Sequence, residues 1–158
     1  MKKMKIDAVD RKIMTILEKN SRTANTEIGK SLKISEATVR NRIKKLEETG
    51  IMRNISVFNP EALGYQIHVI VGVEVEYGKI KHVTKKLNES ESLFFVGNST
   101  GRYDIMFVAF FRSLEEQYRF MVDEISKIDG ISKTETSTIL KMTKATYVWG
   151  ISPSQARG

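Results

Sequence analysis

Cysteine is absent from this chain, and proline and histidine occur only twice each. Without cysteine there is no disulfide framework, no thiolate metal site and no cysteine nucleophile, a usage that suits a reducing cytosol. The histidines, His68 in a strand-like run and His82 in a helix-like one, form no metal-ligating cluster or nucleophile–base pair, and His68 reads as structural. No glycine-rich phosphate loop is present. No long apolar run follows the lysines of the N-terminus, so neither a signal peptide nor a membrane span is expected, and a cytoplasmic location is. The composition, 41% hydrophobic and 28% charged over 158 residues, is that of one large or two small globular domains.

What is present in excess is positive charge, and it is unevenly placed. Of the formal net charge of +7, residues 1–60 carry all, with 14 Lys and Arg against 7 Asp and Glu, while 61–158 hold 12 of each. A polyanion-binding N-terminal part joined to a neutral C-terminal part follows.

The basic part centres on the stretch 34–47. Val39, Ile43 and Leu46 recur at i, i+4, i+7 and form one buried stripe. Ala37, Thr38, Asn41, Lys44 and Lys45 fall on the opposite side, flanked by Arg40 and Arg42. Ser35 stands at the N-cap and Gly50 supplies the stop. A helix with a short polar N-terminal face and cations along its length suits the major groove of DNA. Before it, Asp7 to Lys19 predicts a helix capped by Asp7 with Asp10 three residues on, burying Val9, Ile13, Ile16 and Leu17 beside Met14. Asn25 to Leu32 predicts a short second helix burying Ile28 and Leu32, with Thr23 or Asn25, but not Ala24, able to cap it. Three helices with a tight connection at Lys33-Ile34 make a helix-turn-helix unit. Ile51 to Val57 is β-like and short, as a wing would be.

Asn59-Pro60-Glu61-Ala62-Leu63-Gly64 interrupts both periodicities and reads as a linker. Beyond it, Tyr65 to Tyr77 alternates as a strand and Lys79 to Leu87 is helical with Ile80, Val83 and Leu87 inward. Leu93 to Gly97 and Ile105 to Phe111 are strands. Ser113 with Glu116 opens a longer helix whose stripe is Leu114, Tyr118, Met121, Ile125 and Ile128, ended by Gly130. Ile131 to about Trp149 is a final strand region. The order β-α-β-β-α-β is ferredoxin-like, and the fold class is α+β. The expected domains are thus 1–58, a winged helix-turn-helix; 59–64, a linker; 65–150, a ferredoxin-like effector-binding and oligomerisation domain; and 151–158, a tail.

Two helices cover one face of a four-stranded sheet, yet both faces of these strands are apolar. Met106, Val108 and Phe110 lie on one side of the third strand and Ile105, Phe107 and Phe111 on the other, and Phe94 and Phe95 are expected to point opposite ways. Sheet-to-sheet dimerisation would cover the remaining face. Thr134, Thr136 and Thr138 align on one face of the last strand at ~7 Å steps, a row able to line a polar pocket.

The run from Ile6-Asp7 to Ile13, Ser35 with Val39, Arg42, Ile43, Leu46 and Glu47 to Ile51, Asn59-Pro60 with Leu63-Gly64, and Thr100-Gly101-Arg102-Tyr103-Asp104 occur in an order and spacing that resembles the Lrp/AsnC family of feast/famine transcription regulators. The resemblance covers Asp7 to about Trp149. It departs at Ala24, where that family commonly carries a capping serine. It implies a DNA-binding homodimer that assembles into tetramers or octamers and binds an amino acid or related small effector between protomers. It implies no catalytic residue, no metal and no cofactor beyond such an effector.

On that reading, the duplex-DNA site comprises Ser35, Glu36, Ala37, Thr38, Arg40, Asn41, Arg42, Lys44 and Lys45. Glu36, Ala37, Thr38, Arg40 and Asn41 are the expected base readers, and Arg42, Lys44 and Lys45 the expected phosphate contacts. The effector site comprises Gly101, Arg102, Tyr103, Asp104, Thr134, Thr136 and Thr138. Asp104 suits an α-ammonium, the N–H groups near Gly101 suit the carboxylate, and Tyr103 offers a wall or hydroxyl. A ligand-independent DNA-binding regulator is the alternative. A regulatory subunit of an amino-acid-metabolic enzyme fits less well for want of catalytic groups. An RNA-binding ferredoxin-like module fits poorly, because an RNP1-type aromatic signature is missing and the charge lies in the other half.

Overall fold

The computed structural model describes residues 5–144, which form two compact units divided between Val57 and Phe58. The first unit holds three helices: α1 (Ala8–Lys19), α2 (Asn25–Leu32) and α3 (Glu36–Glu48). Ile13, Leu17, Ile28 and Val39 are its buried centre, with Val9, Ile16, Leu32, Ile34, Ile43 and Met52 packed around it. The expected caps form at α1 and α3. Asp7 Oδ1 accepts from the N–H groups of Val9 and Asp10 at 2.8 Å while Asp10 takes the Asp7 N–H at 3.1 Å. Ser35 Oγ accepts from Thr38 N–H at 3.1 Å. At α2 neither Thr23 nor Asn25 is the cap; Ala24 holds that position with no side-chain bond.

The turn from α2 to α3 is tight for two reasons. Lys33 adopts the left-handed region at φ 56°, and Gly29 is buried where a Cβ would stand 2.8 Å from the Ile34 carbonyl oxygen. The expected wing is not formed: among the described residues 51–59 hold no strand, and Ile55 and Phe58 are exposed. Among the described residues of this unit there is no strand for it to pair with, and β-propensity alone does not hold an unpaired one.

The second unit contains β1 (Ile67–Val75), α4 (Ile80–Asn88), β2 (Leu93–Asn98), β3 (Ile105–Phe111), α5 (Leu114–Arg119) and β4 (Ile131–Thr138). The sheet is antiparallel throughout, in the order β2-β3-β1-β4. The stretch 59–64, expected as a linker, carries a short 3₁₀ turn at Glu61–Leu63 ended by left-handed Gly64. The last strand stops at Thr138, earlier than expected; the portion of that expectation beyond residue 144 lies outside the described residues. Leu140 there is almost wholly exposed and gains nothing from continuing the strand.

One sheet face carries Val69, Val71, Val73, Ile105, Phe107 and Ala109, all fully buried with Val83 and Leu87 of α4. Of the expected stripe of the second helix, Ile125 is buried and Met121 and Ile128 pack against the core, but its first two members do not. After α5 the backbone passes through a π turn, Phe120–Glu124, and a 3₁₀ turn, Ile125–Lys127. The wider turn breaks the 3.6-residue phase. Phe120 therefore enters the core, 5.3 Å from the Phe111 ring and 6.4 Å from Phe107, while Leu114 and Tyr118 face solvent.

Among the described residues no helix covers the opposite sheet face. Register places His68, Ile70 and Gly72 of β1 opposite Phe110, Val108 and Met106 of β3. Phe94 and Phe95 do not point opposite ways. The register shifts between Leu93 and Phe95, so a bulge turns both rings to this face: Phe94 lies edge-on to Phe110 at 5.4 Å and Phe95 pairs with Val108 and lies over Gly97.

Candidate nucleic-acid interface and effector turn

Helix α3 exposes Glu36, Ala37, Thr38, Arg40, Asn41, Lys44 and Lys45, and buries Val39 and Leu46. The buried pair fixes which side faces outward; Ser35 leaves the first turn polar. Arg40 pairs with Glu36 one turn earlier, and Lys44 reaches Glu48 at 3.7 Å. These i,i+4 pairs are exposed and weak, so both cations are available to a stronger anion.

Arg42, expected as a phosphate contact, is engaged by two carboxylates of the same unit. Its Nη1 donates to Asp7 Oδ2 at 2.6 Å and to Asp10 Oδ1 at 2.7 Å. The Asp10 side chain is only 3% exposed. The Asp10 backbone N–H, and then the Arg42 guanidinium, hold the Asp7 carboxyl below its ordinary pKa. Asp7 and then Asp10 raise that of Arg42. The cation is thus taken up within the fold.

The turn between β2 and β3 is closed by its own groups. Gly101 sits at φ 106°, a conformation that glycine adopts without steric cost. Ser99 donates from its backbone N–H to the Asp104 carbonyl at 2.9 Å and from its hydroxyl to the Tyr103 carbonyl at 2.7 Å. Asp104 N–H bonds the Val73 carbonyl at 3.0 Å, and Asp104 Oδ2 accepts from Val75 N–H at 2.8 Å. The carboxylate expected to meet an α-ammonium therefore already holds backbone. Asp104→Ala is expected to cost about 2 kcal/mol in urea unfolding, because it strands a half-buried N–H. A variant with wild-type stability that has lost effector binding would return Asp104 to the ligand role.

Around the turn the structure gathers residues that the sequence did not single out. The Tyr103 ring lies over Gly72, where a Cβ would stand 2.5 Å from it. Arg102 stacks 5.3 Å from the same ring and pairs with Glu135 at 2.8 Å. The Glu135 carboxylate beside the Tyr103 hydroxyl raises the phenol pKa. Gly72 faces Glu135 across β1 and β4, so this cluster occupies the helix-free face. The threonine row is elsewhere: Thr134, Thr136 and Thr138 face Val73, Val71 and Val69 and lie on the helix side of the sheet edge. Arg102 and Tyr103 are brought together with Glu135 and not with the threonines. A glycine inside a β-branched strand was the available signal for close approach at Gly72; for Glu135, alternating between threonines, there was none. Among the described residues no group of three or more His, Cys, Asp or Glu is placed to hold a metal ion, and no helix is long and apolar enough to cross a membrane.

A tri-helical unit presenting a polar, basic third helix, followed by a β-α-β-β-α-β unit, defines a helix-turn-helix DNA-binding regulator. Matches to known families agree. The AsnC-type helix-turn-helix domain matches residues 6–47 and the Lrp/AsnC ligand binding domain matches 68–149. An HTH-type transcriptional regulator of Pyrococcus horikoshii is 39% identical over 145 residues, covering 91% of this chain and 97% of the relative. The HTH-type transcriptional regulator Ptr1 of Methanocaldococcus jannaschii is 32% identical over 140 residues, covering 88% and 95%. Among solved structures, E. coli AsnC superposes with a TM-score of 0.85 at 27% identity over 90% of this chain and 97% of that one. A Neisseria meningitidis regulator solved as an L-Met complex shares the fold, with a TM-score of 0.83 at 24% identity over 91% and 96%. The chain belongs to the Lrp/AsnC family: it is a helix-turn-helix transcription regulator with a ligand-binding domain, and not an enzyme.

Proposed function

We propose that the protein is a homodimeric, effector-responsive regulator in which α3 enters the major groove and a free amino acid acts at the β2–β3 turn. The observation that carries the DNA reading is the outward face of α3, polar at its N-terminal turn and cationic beyond, in the half of the chain that holds all the excess positive charge. Glu36, Ala37, Thr38, Arg40 and Asn41 read base edges; Ser35, Lys44 and Lys45 meet phosphates. A two-fold dimer reads half-sites one or two turns apart, ~10 bp per turn. Binding to a duplex selected by the protein from a random pool should fall steeply with salt, and Arg40→Ala with Asn41→Ala should weaken it about tenfold or more. A flat salt dependence, or an unchanged double variant, overturns this reading.

For the effector, the Arg102–Glu135 pair supplies both complements of an amino acid. Arg102 suits the carboxylate and Glu135 the ammonium, so the ligand exchanges one exposed ion pair for two, with Tyr103 beside them. The match of 68–149 to a ligand-binding domain supports this. Calorimetry with the common amino acids should detect binding to the wild type and none to Arg102→Ala. Absence of binding to the wild type favours the ligand-independent alternative. The apolar sheet face that carries no helix among the described residues supports dimerisation, with tetramers or octamers built from those dimers.

A further inference from the structure

Arg42 is the one cation of α3 whose charge is spent inside the fold, and the way it is spent has a consequence for DNA recognition. All four oxygens of Asp7 and Asp10 are committed. Asp7 Oδ1 caps α1 and Asp10 Oδ2 takes the Asp7 N–H, which leaves Asp7 Oδ2 and Asp10 Oδ1 for a single Arg42 nitrogen, at 2.6 and 2.7 Å. The N-terminal cap of α1 and the middle of α3, 35 and 32 residues apart in sequence, are thereby one polar unit. On α3, Arg42 stands between the buried Val39–Leu46 side and the exposed Asn41 and Lys45, at the boundary where a rotation of the helix about its axis would first be felt.

We infer that Arg42 is a positioning residue: anchored to the α1 capping box, it fixes the roll of α3 and hence which side chains face the groove, and it makes no phosphate contact of its own. The inference rests on α3 being the reading helix. It differs from the phosphate role in sign as well as size. Removing a phosphate contact weakens binding to every sequence and lowers the salt slope by about 0.9. Losing a positioning contact weakens selective binding and leaves the slope on non-selected DNA unchanged. Removing an acid near DNA should, by charge alone, strengthen binding; as loss of the anchor it should weaken it.

The test compares wild type, Arg42→Met, Asp10→Asn and Asp7→Asn on two probes, a duplex selected by the wild type from a random pool and poly(dI-dC), across salt. Arg42→Met is expected to lose about tenfold or more on the selected duplex, change less than about threefold on poly(dI-dC), and keep its salt slope there. Asp10→Asn should match it despite carrying one negative charge fewer. Asp7→Asn retains a capping side chain at an exposed site, and so keeps the measurement meaningful should burial make Asp10→Asn unfold; it too should lose selectivity. Equal losses on both probes with a reduced slope for Arg42→Met, or tighter binding by the aspartate variants, overturn the inference, as does an unchanged Arg42→Met. If Arg40→Ala with Asn41→Ala leaves selected-duplex binding intact, it is the reading of α3 itself that fails.

Discussion

Phe95→Glu combined with Phe110→Glu is expected to leave the protein monomeric at concentrations where the wild type, on the proposed assembly, is expected to sediment as a dimer. Both rings lie on the sheet face that carries no helix, beside Phe94, Val108 and Met106. Burying a phenylalanine contributes roughly 2 kcal/mol. Two per protomer are counted twice across a two-fold interface, and since both rings are already partly buried within the protomer, at most about 4 kcal/mol of gross association energy is removed before the cost of burying four carboxylates is added. The isolated unit should tolerate the change at Phe95, which is 52% exposed, better than at the half-buried Phe110, so Phe95→Glu alone serves as the control for fold. Sedimentation equilibrium reads the assembly and circular dichroism the fold. A double variant that still sediments as the wild type, or a wild type already monomeric, sinks the face-to-face dimer. DNA affinity should fall together with assembly, since two half-sites are then no longer held by one particle.

Gly29→Val is expected to destabilise the helix-turn-helix unit by about 3 kcal/mol. A Cβ at this position would meet the Ile34 carbonyl oxygen at 2.8 Å, and that atom is backbone. The loop has little room to retreat. Ile34 N–H bonds the Gly29 carbonyl at 3.0 Å, and Lys33 already occupies the left-handed region. Relief therefore requires α2 and α3 to separate, which uncovers Ile28 and Val39, both fully buried. Urea unfolding followed by helical circular dichroism measures the loss. A midpoint unchanged from the wild type would mean that the turn opens at little cost and that the glycine is incidental.

The ends of most elements were legible because their signals are local. Asp7 with Asp10, Ser35 and Ser113 are side chains that satisfy N–H groups a few residues away, and the short unbroken apolar run from Ile105 to Phe111 specifies a strand. What was not legible depended on partners distant in sequence. Arg42 looked like any other cation of α3, and only the fold brings it to Asp7 and Asp10. Asp104 looked free, and only the approach of β1 gives it the Val75 N–H. The threonine row was read correctly as one face but not as which face, because a period of two does not say which side a pair of helices will cover. The π turn at Phe120–Glu124 moved the apolar stripe by an amount that no fixed helical period encodes. At 51–57 the residues favoured a strand, but among the described residues none is present there and no neighbouring strand is offered.

The bulge at Phe94 also bears on how association ends. β2 and β4 are the two borders of the sheet, and each leaves a row of backbone donors and acceptors unpaired within the unit. Such borders template further strands and so threaten open-ended growth. Here one is kinked at Phe94 and the other is studded with Lys133 and Glu135. Lateral stacking is discouraged at both, and the remaining adhesive surface is the flat of the sheet. Two flats meeting about the proposed dyad would cover each other, so assembly beyond the dimer would have to use surfaces other than the sheet and would not grow as a fibre of stacked sheets.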